Sequence, residues 1–365
     1  MATAARALPR IGTIVNSRSA RPHLRRRDHL ITMLFAFWTL FGVFLDGWAH
    51  SELIETLESF FTPWHAVLYT GFTGAALWTG YQGMRFQRRG EAFDVARIPV
   101  GYGLALVGVV LFGTSGTGDM IWHSIFGIEQ GIEALMSPTH LGLFLGVGLI
   151  LTAPLRAAWH SPDDVSASFR TFFPTALSLA LSTAGIAFFV MYMSPLKEQV
   201  ARVDWTTWAA LRGDEFAEMS QGFGVGGILV STIVLLAPLL VALRRWSLPF
   251  GTATLIGTLV GTGMVAIEGF HNGEVALAYA VGGLATDALV MILDPRAENV
   301  ARYRAFAAAV PLVVWSSYFA IVQLTGGIGW VVEFWAGSVV LASMTGFGLA
   351  TVMSLPAAPS QPTGT

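Results

Sequence analysis

The sequence predicts an all-α, polytopic transmembrane helix bundle of about ten spans, with a parallel internal repeat in the N-terminal four. Three observations carry that prediction. Hydrophobic residues make up 54% of the 365 and charged residues only 12%, with a mean hydropathy of +0.61. A soluble domain carries about 25% charged residues, so this chain lacks the charge to cover a water-facing surface. The apolar residues gather into ten runs, and one membrane span needs about 20 of them. A polar pattern of Asp, His, Ser or Thr, Pro and His occurs twice, after the first and the third run.

Residues 1–28 hold seven arginines and one acid. They read as a basic cytoplasmic tail, with a transit peptide as the lesser alternative, and they contain no apolar h-region. Residues 29–160 hold the runs 30–47, 63–82, 98–118 and 139–158, which pair into two helical hairpins. Residues 161–354 hold six more, at 172–193, 222–243, 248–267, 274–293, 305–325 and 331–353. Only "GGIGW" separates the last two, which leaves a single re-entrant feature open. The stretches "GFGVGG" and "GTLVGTG" suit close helix approach in lipid. They are not phosphate loops, because no GxxxxGK[ST] is present. Residues 355–365 read as a disordered tail.

Eighteen of the 21 Lys and Arg residues fall on one side of a ten-span topology: Arg6 to Arg27, Arg85 to Arg97, and seven later loop arginines. Lys197, Arg202 and Arg212 fall on the other. The positive-inside rule then puts both termini in the cytoplasm. It also puts His50, His65, His123, His140 and His271 at the outer ends of spans, with Asp46, Glu58, Asp119, Glu129, Glu133, Glu268 and Glu274. His23, His29 and His160 fall on the cytoplasmic side and read as structural. No nucleic-acid partner is expected; the lipid bilayer is the one partner that composition demands. Oligomeric state is not legible.

The repeat pairs "DGWAHSELIETLESFFTPWH" (46–65) with "DMIWHSIFGIEQGIEALMSPTH" (119–140). Each has Asp, His four later, Ser, an acidic and apolar segment, then Ser or Thr, Pro, one residue and His. Asp46 and His50 share a helix face, as do Asp119 and His123. Thr62 and Ser137 suit the N-cap, with Pro63 and Pro138 at the first helical position. That cap accounts for the Ser/Thr-Pro pair, and "MSPLKE" uses the same start without a histidine. It does not account for the histidines or acids. Helix N-termini favour neutral imidazole at His65 and His140, the form a metal needs. The candidate ligands are therefore Asp46, His50, His65, Asp119, His123, His140, Glu129 and His271, with Glu58 and Glu133 as candidate general bases. The structural alternative is Asp holding His by a hydrogen bond, as a polar staple.

No cysteine is present, which excludes disulfides, thiolate metal sites and iron–sulfur clusters. Outer-face methionines (Met120, Met136, Met191, Met193 and Met219) suit Cu(I) but serve equally as packing. Asp287 and Glu333 lie within spans, Asp287 toward the cytoplasmic half as a packing or proton-path residue. The stretches 51–62 and 125–136 read as interfacial helices roofing the site. The outer loop 194–221, with Trp205 and Trp208, reads as a further lid or anchor.

The Asp-x-x-x-His…His order of Asp46/His50/His65 and Asp119/His123/His140 resembles the third subunit of copper membrane monooxygenases. That likeness covers residues 46–65 and 119–140. It departs in the longer second spacing, the duplication and the intervening helix-starting proline. It implies an intramembrane metal bound by those three residue types. Read together, these features predict a metalloprotein with an extracytoplasmic His/carboxylate site. The first function is an oxidoreductase using copper, then iron, on a small or lipidic substrate. A zinc hydrolase with Glu58 or Glu133 as base is an alternative, though no HExxH is present. A transporter or channel for a metal ion or proton-coupled solute, a b-type cytochrome and an assembly protein are the others.

Overall fold

The computed structural model describes residues 21–53, 60–127, 131–162 and 165–354. These are helical, with no strand among them. The first hairpin is α1 (Arg26–Glu52) with α2 (Pro63–Met84). The second is α3 (Gly103–Phe126) with α5 (Pro138–Leu151), preceded by the short α4 (Ile132–Met136). Next come α6 (Ala153–Trp159), α7 (Phe169–Phe189), α8 (Pro195–Glu198) and α9 (Trp205–Arg212). The chain then runs through α10 (Asp214–Leu243), α11 (Thr252–Ile267), α12 (Ala276–Leu293), α13 (Val300–Thr325) and α14 (Val332–Met353).

Each of the ten apolar runs lies on one of these helices or on the α5–α6 pair. Seven of the described helices are long and apolar enough to cross a membrane: α1, α3, α7, α10, α12, α13 and α14. The α5–α6 pair, bent by 44°, makes an eighth when taken as one span. Of the remaining two runs, α11 is 16 residues long. The other, α2, is long enough but carries too many polar side chains, among them Thr70 and Thr73, whose hydroxyls bond back to Val67 and Tyr69 carbonyls.

Small residues set the hairpins. A Cβ on Gly42 would collide with the backbone of Leu68, so α1 and α2 touch main chain to main chain. Gly108 and Gly146 do the same for α3 and α5. The α5–α6 bend has a local cause. Pro154 lacks the N–H that would reach back across the break. Arg156 covers the exposed carbonyls of Leu149 (2.7 Å) and Gly101 (3.1 Å), and the Ser178 hydroxyl donates to Leu151 O (2.5 Å).

The core centres on α7, which is 72% buried over its apolar window and packs on α1, α5, α6, α10 and α11. Phe172, Ala176, Leu179 and Ala184 face that core. Asp287, read from sequence as a packing or proton-path residue, is buried on α12. Its carboxylate accepts from Ala253 N (2.9 Å), Thr254 N (3.0 Å) and Thr254 Oγ1 (2.6 Å). It thus caps the N-terminus of α11 from a neighbouring helix, where Gly251 provides no side-chain cap. Glu333 is exposed in the first turn of α14.

Candidate metal centre

Both hairpins deliver their polar clusters to one cavity of about 570 Å³. Because α1 continues to Glu52 and α3 to Phe126, each Asp-x-x-x-His lies on the last helical turns. On the partner helices, Thr62 and Ser137 act as N-caps, accepting from His65 N and His140 N (3.2 Å each). The cap fixes His65 and His140 in the first turn, facing the aspartates across the hairpin.

In the first triad, Asp46 Oδ1 stands 3.4 Å from His65 Nε2, and Asp46 Oδ2 3.9 Å from His50 Nε2. In the second, Asp119 Oδ2 stands 3.5 Å from His123 Nε2, and Asp119 Oδ1 3.4 Å from His140 Nδ1. Thr139 Oγ1 donates to Asp119 Oδ1 at 2.8 Å. One ligand atom from each of Asp119, His123 and His140 lies within 4.8 Å of the others, and this is the group among the described residues that could hold a metal ion.

The hydrogen bonds fix two tautomers. His123 Nδ1 faces Gly127 O (3.1 Å), and His65 Nδ1 faces Phe60 O (2.5 Å). A carbonyl only accepts, so each Nδ1 carries a proton. Each Nε2 then faces an aspartate oxygen. A neutral ring there would set a lone pair against a carboxylate, so each pairing calls for a positive charge, as a proton on Nε2 or as a bound cation. Metal-ligating histidines are oriented by just such a bond from the other ring nitrogen to a carbonyl. The oxygen and nitrogen donors of the second triad suit zinc, iron or copper.

The other sequence candidates lie elsewhere. Glu133 is exposed on α4, while Ile132, Ala134 and Leu135 from that helix line the cavity. His271 is exposed at the rim, 3.5 Å from Glu52. Glu58 and Glu129 lie outside the described residues, as do residues 54–59 and 128–130 of the predicted roof. Of the methionines read from sequence as outer-face, Met191 lines the cavity, whereas Met136 and Met219 are exposed.

Sequence reasoning missed Tyr69, Tyr192, Lys197 and Glu198 as cavity lining, and it did not number Glu268 among the candidate ligands or bases. Lys197 pairs with Glu268 (3.0 Å) and Glu198 (3.3 Å). Burial pulls its ammonium down, but the two glutamates outweigh that and hold it above its ordinary value. The "MSPLKE" start, chosen as the plain helix cap, is what carries it there: Ser194 caps α8. Tyr318 OH donates to Pro195 O (3.1 Å) and anchors the loop to the C-terminal helices.

Fold and site together define a helical, multi-pass membrane protein with a buried Asp–His–His group that could hold a metal ion. Within that class no family emerges: no family model, curated protein or solved structure matches the chain.

Proposed function

We propose that the chain is an integral membrane oxidoreductase that holds copper or iron at Asp119, His123 and His140. The observation that carries this reading is the convergence of those three donors within 4.8 Å inside a cavity that Asp46, His50 and His65, the same residue types, also line. A redox metal bound there would supply one-electron chemistry to an oxidant. The chain's own residues do the rest. Gly127 O and Ser137 Oγ orient the His123 and His140 rings, and Thr139 fixes the carboxylate. Leu68, Phe112, Leu143 and Val147 below them exclude water and suit an apolar or lipidic substrate.

In this reading the chain makes ten spans, with α2, α5–α6 and α11 crossing alongside the seven apolar helices. The two hairpins form a parallel repeat that resembles the third subunit of copper membrane monooxygenases in its Asp-x-x-x-His…His order. The termini are cytoplasmic and the cavity extracytoplasmic, supported by the sorting of 18 of the 21 basic residues to one set of loops. Two observations favour an oxidoreductase over its rivals. Asp287, the acid that hinted at a transmembrane path, is engaged by three donors as a helix cap. Glu133, a base that a zinc hydrolase would use, stands off the cavity.

The test is metal content by mass spectrometry on detergent-purified protein, beside the His123→Ala/His140→Ala variant. Stoichiometric copper or iron that vanishes in the folded variant supports the proposal. Zinc in its place moves the reading to a hydrolase. No metal after supplementation, with both proteins folded, overturns it.

A further inference from the structure

A second cavity lies on the opposite side of α1, between α1, α7 and α11, with a volume of about 610 Å³. Phe41, Phe44, Trp48, Ala184, Thr262 and Ala266 are among its lining residues. Only the Thr262 hydroxyl and the Trp48 indole N–H interrupt an apolar wall. An apolar cavity of about 150 Å³ is enough to take up benzene, so this one has room for a long chain. Phe41 and Thr262 are themselves exposed, so the groove opens outward at the depth of the spans, where the surrounding solvent is hydrocarbon.

One helix separates this groove from the metal cavity. Val43, Asp46, Gly47 and His50 of α1 face the metal side, while Phe41, Phe44 and Trp48 face the groove. Leu40 lines both. The turn after α11 also serves both spaces: Glu268 lines the metal cavity, and Gly269 and Phe270 line the groove. A polar end leaving the groove at that turn arrives beside the Lys197–Glu268 pair.

We propose that the groove binds the hydrocarbon tail of a membrane lipid and loads it laterally toward the metal cavity. This rests on the reading of the cavity as a metal site and names its substrate class: a lipid with a long hydrocarbon chain and a polar end. Walls shared with the cavity, at Leu40 and at the 268–270 turn, set this groove apart from an ordinary lipid-facing surface.

The full chain is reconstituted in phosphatidylcholine vesicles doped with a phospholipid bearing a diazirine on its acyl chain, then photolysed and mapped. Adducts are expected on 37–48 and 259–270 at about fivefold the level on the outer face of α14 (Val340, Met344 and Phe347). Against bilayer hydrocarbon that preference comes from van der Waals fit of the tail in the groove, not from transfer out of water. Thr262→Trp/Ala266→Trp, which fills the groove, is expected to bring adducts down to the α14 level and leave metal content unchanged. Leu40→Ala is expected to extend adducts to Leu68 and Phe112. Equal labelling of groove and α14, or labelling indifferent to the filled groove, overturns the site. Adducts that never reach Leu68 and Phe112 overturn the loading. His123→Ala separates the two readings, because metal is lost there while groove adducts persist.

Discussion

The two triads use the same residue types in the same order, yet one is tighter than the other. Asp119 is buried with a side-chain exposure of 2%, and a threonine hydroxyl fixes its Oδ1. Asp46 is 17% exposed, and its two histidines stand 3.4 and 3.9 Å away. The difference traces to one position, the residue between proline and histidine. In "SPTH" it is Thr139, which reaches across to Asp119. In "TPWH" it is Trp64, whose ring turns away to meet Trp48 edge-on at 5.6 Å. A carboxylate held by a third group has one orientation to offer, and preorganised ligands bind metal more tightly. Sharing a motif does not make two sites equivalent; the hydroxyl beside it decides.

The largest expected effect breaks that comparison most directly. Asp119→Asn is expected to weaken metal binding by about 100-fold or more, and Asp46→Asn by less than about tenfold, since oriented ligands and their supports carry about 10–100-fold each. Chelator competition on the two variants measures both. Equal losses would mean one merged site in which the triads share the ion. Next in size, Thr139→Val keeps the shape of the side chain and removes the clamp, with an expected loss of about tenfold. Trp64→Thr is the reciprocal change and is expected to tighten the first triad, visible as a second bound equivalent.

Much of this was legible in the sequence. The ten apolar runs all lie on helices because burial in lipid leaves a long, continuous signal. The Asp-x-x-x-His pairs share a face because helical spacing is local, and the Ser/Thr-Pro caps read directly from "FTPW" and "MSPT". What was hidden depends on tertiary contact. Lys197 and Glu198 reach the cavity with the help of contacts distant in sequence: Tyr318, over a hundred residues on, anchors Pro195, and Glu268 pairs with Lys197. Glu133 and Leu135 are two residues apart on α4, and nothing local says which of them faces the cavity. His271 meets Glu52 at the rim through packing of the turn after α11 beside the end of α1. Asp287 had no visible partner because its donors lie on the preceding helix, more than thirty residues back.

Asp287 also supplies a control for the comparison. It is as buried as Asp119, but three donors satisfy it without a cation. Asp287→Ala is expected to destabilise the protein by about 1–3 kcal/mol, the cost of leaving buried backbone donors unpaired. Metal affinity at the second triad should stay unchanged. A thermal melt beside the chelator titration separates the two readouts. A fall in metal affinity without a fall in stability would tie the α11–α12 contact to the site.

The smallest expected effect concerns acid. Asp204 caps α9 and accepts from Thr206 Oγ1 (2.5 Å), Thr207 N (2.7 Å) and Thr207 Oγ1 (2.8 Å). Those bonds hold its carboxyl down at about 2, below the usual 3.8. A group whose folded value is depressed stabilises the fold fully above its unfolded value and loses that contribution as pH falls through the folded one. The contribution of this cap is therefore constant from neutral pH to about 4 and disappears between 3.8 and about 2. Trp205 and Trp208 lie on α9 and report its fraying by fluorescence. In Asp204→Asn the fluorescence change in that window is expected to vanish. Metal release is expected at higher pH, because imidazole ligands must be deprotonated to bind. It should come in one step in the wild type and in two in Trp64→Thr, the first triad emptying before the clamped second. A single step in Trp64→Thr, or release that follows the α9 fluorescence, would make the loop at 194–221 rather than the Thr139 clamp the source of the difference between the two triads.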